Sequence, residues 1–151
     1  MLVTILYRFA GEPPAGGYAS FSDVQPGEWY SDAILWAVEN GIANGYSNGE
    51  FGVDDPVTRE QIVTILYRYA DAIGIDVSAT ATATATAVTV AGLSGFTDIG
   101  DISDWALDAM KWAVAAGIMQ GRTQTTAAPQ NEATRAEVAT IIMRFTEIIL
   151  M

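Results

Sequence analysis

The chain has 151 residues, half of them hydrophobic, with 18 acidic and 7 basic side chains and a net charge of -11. Such a balance excludes the basic field that draws in DNA or RNA phosphate. Neither cysteine nor histidine occurs, so disulfides, thiol nucleophiles, Ser-His-Asp triads and Cys or His metal sites are excluded too. The length suits one domain or a short array of repeats. No run of about 18 apolar residues exists, so no membrane insertion is expected. No charged region followed by an apolar stretch opens the chain; if the protein is exported, its signal peptide is absent from this sequence.

The chain opens with Val3-Thr4-Ile5-Leu6-Tyr7-Arg8, which is identical to Val63 through Arg68. Residues 1–14 therefore read as the C-terminal helix of a partial, truncated copy of a repeat. A first full copy follows over 21–74. Trp29, Ala33, Trp36 and Ala37 recur at helical spacing and make one apolar stripe. Gly41 sits where a left-handed helix cap belongs. The stretch Gly45 to Gly52 is dense in turn formers. Thr58-x-x-Gln61 then reads as a capping box opening a second helix, with Ile62, Ile65, Leu66 and Tyr69 as its stripe.

Residues 75–95 form an Ala/Thr-rich linker. Its Ala-Thr alternation from Ala79 to Ala87 also fits a strand, but no large apolar residue precedes Val88, which favours an exposed connection. A second full copy occupies 96–149. Phe96, Asp98, Trp105, Ala109, Trp112, Gly117, Gly121, Thr134 and Arg135 repeat Phe21, Asp23, Trp29, Ala33, Trp36, Gly41, Gly45, Thr58 and Arg59 in order. One helix pair cannot bury its own apolar face, so the copies must pack on one another.

The ordered set Phe-x-Asp, Trp-x-x-x-Ala-x-x-Trp-Ala, Gly-Ile-x-x-Gly and Thr-Arg-x-(Gln or Glu), repeated at constant spacing, resembles the S-layer homology family. The resemblance covers nearly the whole chain outside the Ala/Thr segment. It implies an all-α fold of helix-loop-helix repeats in a pseudo-threefold bundle, with the second helices at its centre. It also implies a secreted, extracellular module at the Gram-positive cell surface, in the cell wall, that binds secondary cell-wall polysaccharide. That polymer often carries pyruvate ketals. The arginine of Thr-Arg-x-Glu would contact the acidic sugar, which points here to Arg59 and Arg135. Two departures stand out: the partial first copy lacks its arginine, and the second copy has Gln124 to Pro129 where the first has a glycine-rich loop.

On the residues alone, an arginine at the first position of a helix is opposed by the macrodipole. Its presence in both copies suggests a use: its planar fork holds a carboxylate, and the helix start favours an anion. A structural ion pair with a nearby acid is the alternative. Trp36 and Trp112 read as core, whereas Trp29 and Trp105, at helix starts, are candidates for stacking on sugar rings. Gly45, Tyr46 and Ser47, with the counterparts Gly121 and Arg122, are candidates for glycan contacts from the loop. Arg8, Arg68 and Arg144 read as late-helix cations complementing the dipole.

The acids near Asp54 and Asp55 lack the register of a calcium loop, so no metal or other cofactor is expected. Acid pairs for glycoside hydrolysis arise by chance in so acidic a chain, so no enzyme is expected. The alternative to a glycan anchor is a self-assembly module of a surface layer. It would form a homo-oligomer through the apolar helix Met1 to Ala10, left without a lobe partner.

Overall fold

The computed structural model describes residues 2–17, 20–78 and 92–151. The chain divides into two compact units, Met1–Asp55 and Pro56–Met151. Among the described residues the architecture is helical, and the only extended pairing is an isolated bridge between Thr58 and Glu132. The all-α expectation agrees with this. The Ala-Thr alternation lies outside the described residues.

In the first unit, α1 (Leu2–Phe9) packs on α2 (Ser31–Glu39). Helix α1 buries Leu2, Val3 and Leu6, and α2 buries Ala33, Ile34, Trp36 and Ala37. Tyr7 lies against Trp36 with ring centroids 5.6 Å apart. The expectation that the first helix stands without a lobe partner is thereby corrected. A lobe is built from the second helix of one copy and the first helix of the next, so α1 finds its partner in α2. Helix α2 ends as its sequence requires: Gly41 takes φ +66°, and Ile42 N–H donates back to Ala37 O at 2.8 Å.

The second unit repeats this pairing. Helix α3 (Arg59–Ala72) packs on α4 (Leu107–Ala115), and α5 (Arg135–Ile149) adds a third helix against α3. Three 3-10 turns, Gly92–Gly95, Ile99–Asp101 and Asp104–Ala106, lead into α4. Both capping boxes form: Thr58 and Thr134 accept from the backbone N–H of Gln61 and Glu137, whose side chains reach back. Trp112 is buried as expected, edge-on to Tyr67 at 5.7 Å and Phe145 at 6.3 Å. Glu60, also buried, accepts from Ser103 Oγ at 2.8 Å and Ser103 N–H at 3.0 Å, which fixes the turn that starts the α4 segment.

Arg8 lies in the last turn of α1, but Arg68 and Arg144 do not lie in the last turns of α3 and α5. Those two helices run on beyond their arginines, so the dipole argument does not apply there. Arg144 instead donates to the Gln120 amide oxygen at 3.2 Å.

Phe145 is fully buried and touches both Tyr69 and Trp112. Phe145→Ala is expected to destabilise the second unit by about 3–5 kcal/mol, the usual range for emptying a large aromatic site. Chemical denaturation followed by tryptophan fluorescence reads this directly.

Candidate functional site

The site is built on a loop that both copies fold in the same way. Phe21 and Phe96 approach Gly45 and Gly121 closely: a Cβ there would meet Phe21 Cε1 at 2.6 Å or Phe96 Cε1 at 2.5 Å. Asp23 then accepts backbone N–H groups of Phe51, Gly52 and Val53 at 2.7, 2.7 and 3.1 Å. Asp98 accepts those of Ala127 and Ala128 at 2.8 and 2.7 Å. These bonds hold both carboxyl groups below the usual aspartate range despite the opposing effect of burial. The Phe-x-Asp element thus clamps the loop onto the start of its own copy.

One residue breaks the symmetry. Gly52 has φ +84°, and its counterpart Ala128 also takes a positive φ, +51°. A Cβ at Gly52 would meet Tyr46 Cε2 at 2.5 Å. The second copy carries Arg122 in place of Tyr46, so the space is open and alanine is accommodated, at a backbone cost of about 1–2 kcal/mol.

In the second unit the loop closes around Arg59, which is only 4% exposed. Its Nε donates to Ala127 O at 2.9 Å, Nη1 to Glu137 Oε1 at 2.9 Å, and Nη2 to Gln120 O at 2.6 Å and Met119 Sδ at 3.0 Å. Burial lowers its pKa, and Glu137 opposes that shift. Glu137 is shared: Arg122 donates from Nε at 3.3 Å and from Nη2 at 3.0 Å, and the Thr134 N–H at 2.8 Å. The Arg122 and Thr134 bonds lower the Glu137 pKa to about 2.

Beside this cluster lies an open cleft of about 370 Å³, lined by Asp98, Asp101, Arg122, Thr126, Gln130 and Asn131 among others. Arg122 is about one-third exposed there.

The expected site residues fall into three groups. Arg59, Gly121 and Arg122 come together in this cluster. Arg135 is exposed at the start of α5 and, among the described residues, makes no hydrogen bond or ion pair. Trp105 is 54% exposed and does not line the cleft. Trp29, at 61% exposure, belongs with Gly45, Tyr46 and Ser47 to the first unit. There Tyr46 N–H donates to Glu50 O at 2.7 Å, and Trp29 lies edge-on to Tyr30. The central role of Glu137 was not foreseen; its capping-box position was visible, but its two arginine partners come from elsewhere in the chain.

This repeated clamp and capping-box architecture has known relatives. The S-layer homology domain family matches residues 20–63 and 95–139. The chain belongs to the S-layer homology family. Over 122 residues it is 34% identical to an exoglucanase, XynX, of Acetivibrio thermocellus, covering 81% of this chain and 10% of that protein. It is 31% identical over 145 residues to a surface-layer 125 kDa protein of Lysinibacillus sphaericus, covering 94% of this chain and 11% of the relative. It is 28% identical over 141 residues to a cellulosome-anchoring protein of A. thermocellus, covering 91% and 29%. The chain thus spans about a tenth of the first two relatives' length. In these relatives the shared S-layer homology segment is one part of a longer protein. No helix among the described residues is long and apolar enough to cross a membrane.

Two outcomes follow from the cluster. Glu137 is depressed in the folded state, so it stabilises the second unit above its unfolded value, near 4.5, and that contribution is lost as pH falls towards about 2. Thermal unfolding between pH 5 and 2 is expected to show a shallower acid loss in Glu137→Gln than in the parent. Arg59→Ala is expected to cost about 3–5 kcal/mol by leaving buried acceptors unpaired. Arg59→Lys recovers only part of it, because an ammonium cannot span the four acceptors; urea unfolding measures both.

Proposed function

We propose that this S-layer homology chain is a non-catalytic anchor that holds a bacterial surface protein on the cell wall, by binding an acidic secondary cell-wall polysaccharide. The supporting observation is Arg122, one-third exposed on a cleft lined also by the Thr126 hydroxyl, the Gln130 and Asn131 amides and the Asp98 and Asp101 carboxyl groups, all of which suit sugar hydroxyls, while Arg122 is the cleft's cation. A carboxylate on the polymer, such as a pyruvate ketal, would share the guanidinium with Glu137. Arg135 offers a second, free guanidinium over the positive end of α5. Arg59, being buried, serves by holding Glu137 and the loop in place. Trp29 and Trp105 offer exposed ring faces for stacking. Gly45, Tyr46, Ser47 and Gly121 shape the loops that carry these groups.

The net charge of -11 opposes an anionic polymer at long range. Screening over about 10 Å at moderate salt leaves a local arginine site effective.

Co-sedimentation with Gram-positive sacculi, before and after acid removal of the secondary polymer, tests the reading. Binding is expected to vanish on stripping and to fall at least tenfold in an Arg122→Ala, Arg135→Ala double variant of unchanged helicity. Equal binding by the double variant, or binding to stripped walls, would overturn it.

A further inference from the structure

Within the second unit, the start of α3 is a plug and the loop of the second copy is its socket. The plug offers the Arg59 guanidinium and the first two backbone N–H groups of α3. Arg59 N–H donates to Asn131 O at 3.0 Å and Glu60 N–H to Pro129 O at 2.9 Å, while the guanidinium reaches Gln120 O and Ala127 O. Two carbonyls of the loop thus satisfy backbone donors that every helix start leaves open, and two more hold the guanidinium.

Each half of this joint has a second example in the chain. The start of α5 is the same plug: Arg135 follows the same threonine cap, with the same reciprocal box. Its guanidinium and the N–H groups of Arg135 and Ala136 have no partner among the described residues. The loop of the first unit follows the same path and shares the bonds that shape the socket. Ala43 N–H donates to Ala37 O as Met119 does to Ala113 O. Tyr46 pairs with Glu50 as Arg122 pairs with Thr126, and Ser22 with Gly49 as Thr97 with Thr125. Asp23 clamps it as Asp98 clamps the other. The carbonyls at the equivalent positions, those of Asn44, Phe51, Val53 and Asp55, accept no hydrogen bond among the described residues. Ala127 is buried under Arg59, whereas Phe51 is only half-buried.

We infer that the first-unit loop of one molecule receives the Arg135 helix start of a second copy of this chain, making a head-to-tail contact. The charge is matched in part: Asp98 favours the cation at Arg59 and Asp23 occupies the corresponding place in the first-unit socket, whereas Glu137, which pairs with Arg59, has the neutral Gln61 as its counterpart. The contact is weaker than its internal precedent, because Ala136 replaces Glu60, whose carboxylate grips Ser103 in the internal joint. A plug and socket on different surfaces form a heterologous interface, which either closes a ring or propagates. The inference does not rest on the glycan reading, although both draw on Arg135, and its test contains no wall polymer.

Sedimentation velocity of the full chain at tens of micromolar is expected to show concentration-dependent association. Arg135→Ala, which removes only the guanidinium, is expected to weaken it at least tenfold. Arg135→Pro also removes one N–H at a helix position where proline is tolerated, and is expected to weaken it further; circular dichroism confirms the fold. Because the chain has no cysteine, an Asn44→Cys chain mixed with an Ala136→Cys chain should be joined by a short bis-maleimide. A parent chain that stays monomeric, an Arg135→Ala chain that associates as the parent does, or a mixture that does not cross-link would each overturn the inference.

Discussion

The buried guanidinium of Arg59 is the constraint on which the second unit depends. A charge so enclosed is tolerated only if its N–H groups and its charge are both answered. Two backbone carbonyls, a thioether and the Glu137 carboxylate answer them. Those acceptors come from the loop after α4 and from the start of α5, so satisfying one side chain places three segments that are distant in sequence. Glu137 is itself tied to Arg122 and to its own helix cap. The cap, the ion pair and the loop therefore form one polar network, whose members support each other more than pairwise removal would suggest.

The loop clamp works at a smaller scale. An aromatic ring close against a glycine and a carboxylate gripping successive N–H groups set the same loop path in both units. The substitution of Tyr46 by Arg122 and of Gly52 by Ala128 belongs to this geometry: the bulky ring demands a missing Cβ, and the arginine does not. Much of the repeated motif is thereby accounted for by folding alone. What remains for an external ligand is the set of groups the clamp leaves in solvent: Arg122, Arg135, Trp29 and Trp105.

The S-layer homology relatives with enzyme names share only a small fraction of their length with this chain.

The sequence by itself determined the helices, their capping boxes, the left-handed glycine at Gly41 and the division of tryptophans into buried Trp36 and Trp112 and exposed Trp29 and Trp105. These are consequences of local hydrogen bonding and of helical periodicity, both of which act over a few residues. Tertiary structure alone decided which helices share a lobe, so that α1 lies on α2 and α3 on α4. It also decided the fates of two arginines in nearly identical local sequences. Arg59 is buried and Arg135 is exposed because a helix start is covered or left open by the loop of another copy, and no local pattern encodes whether that loop is in place.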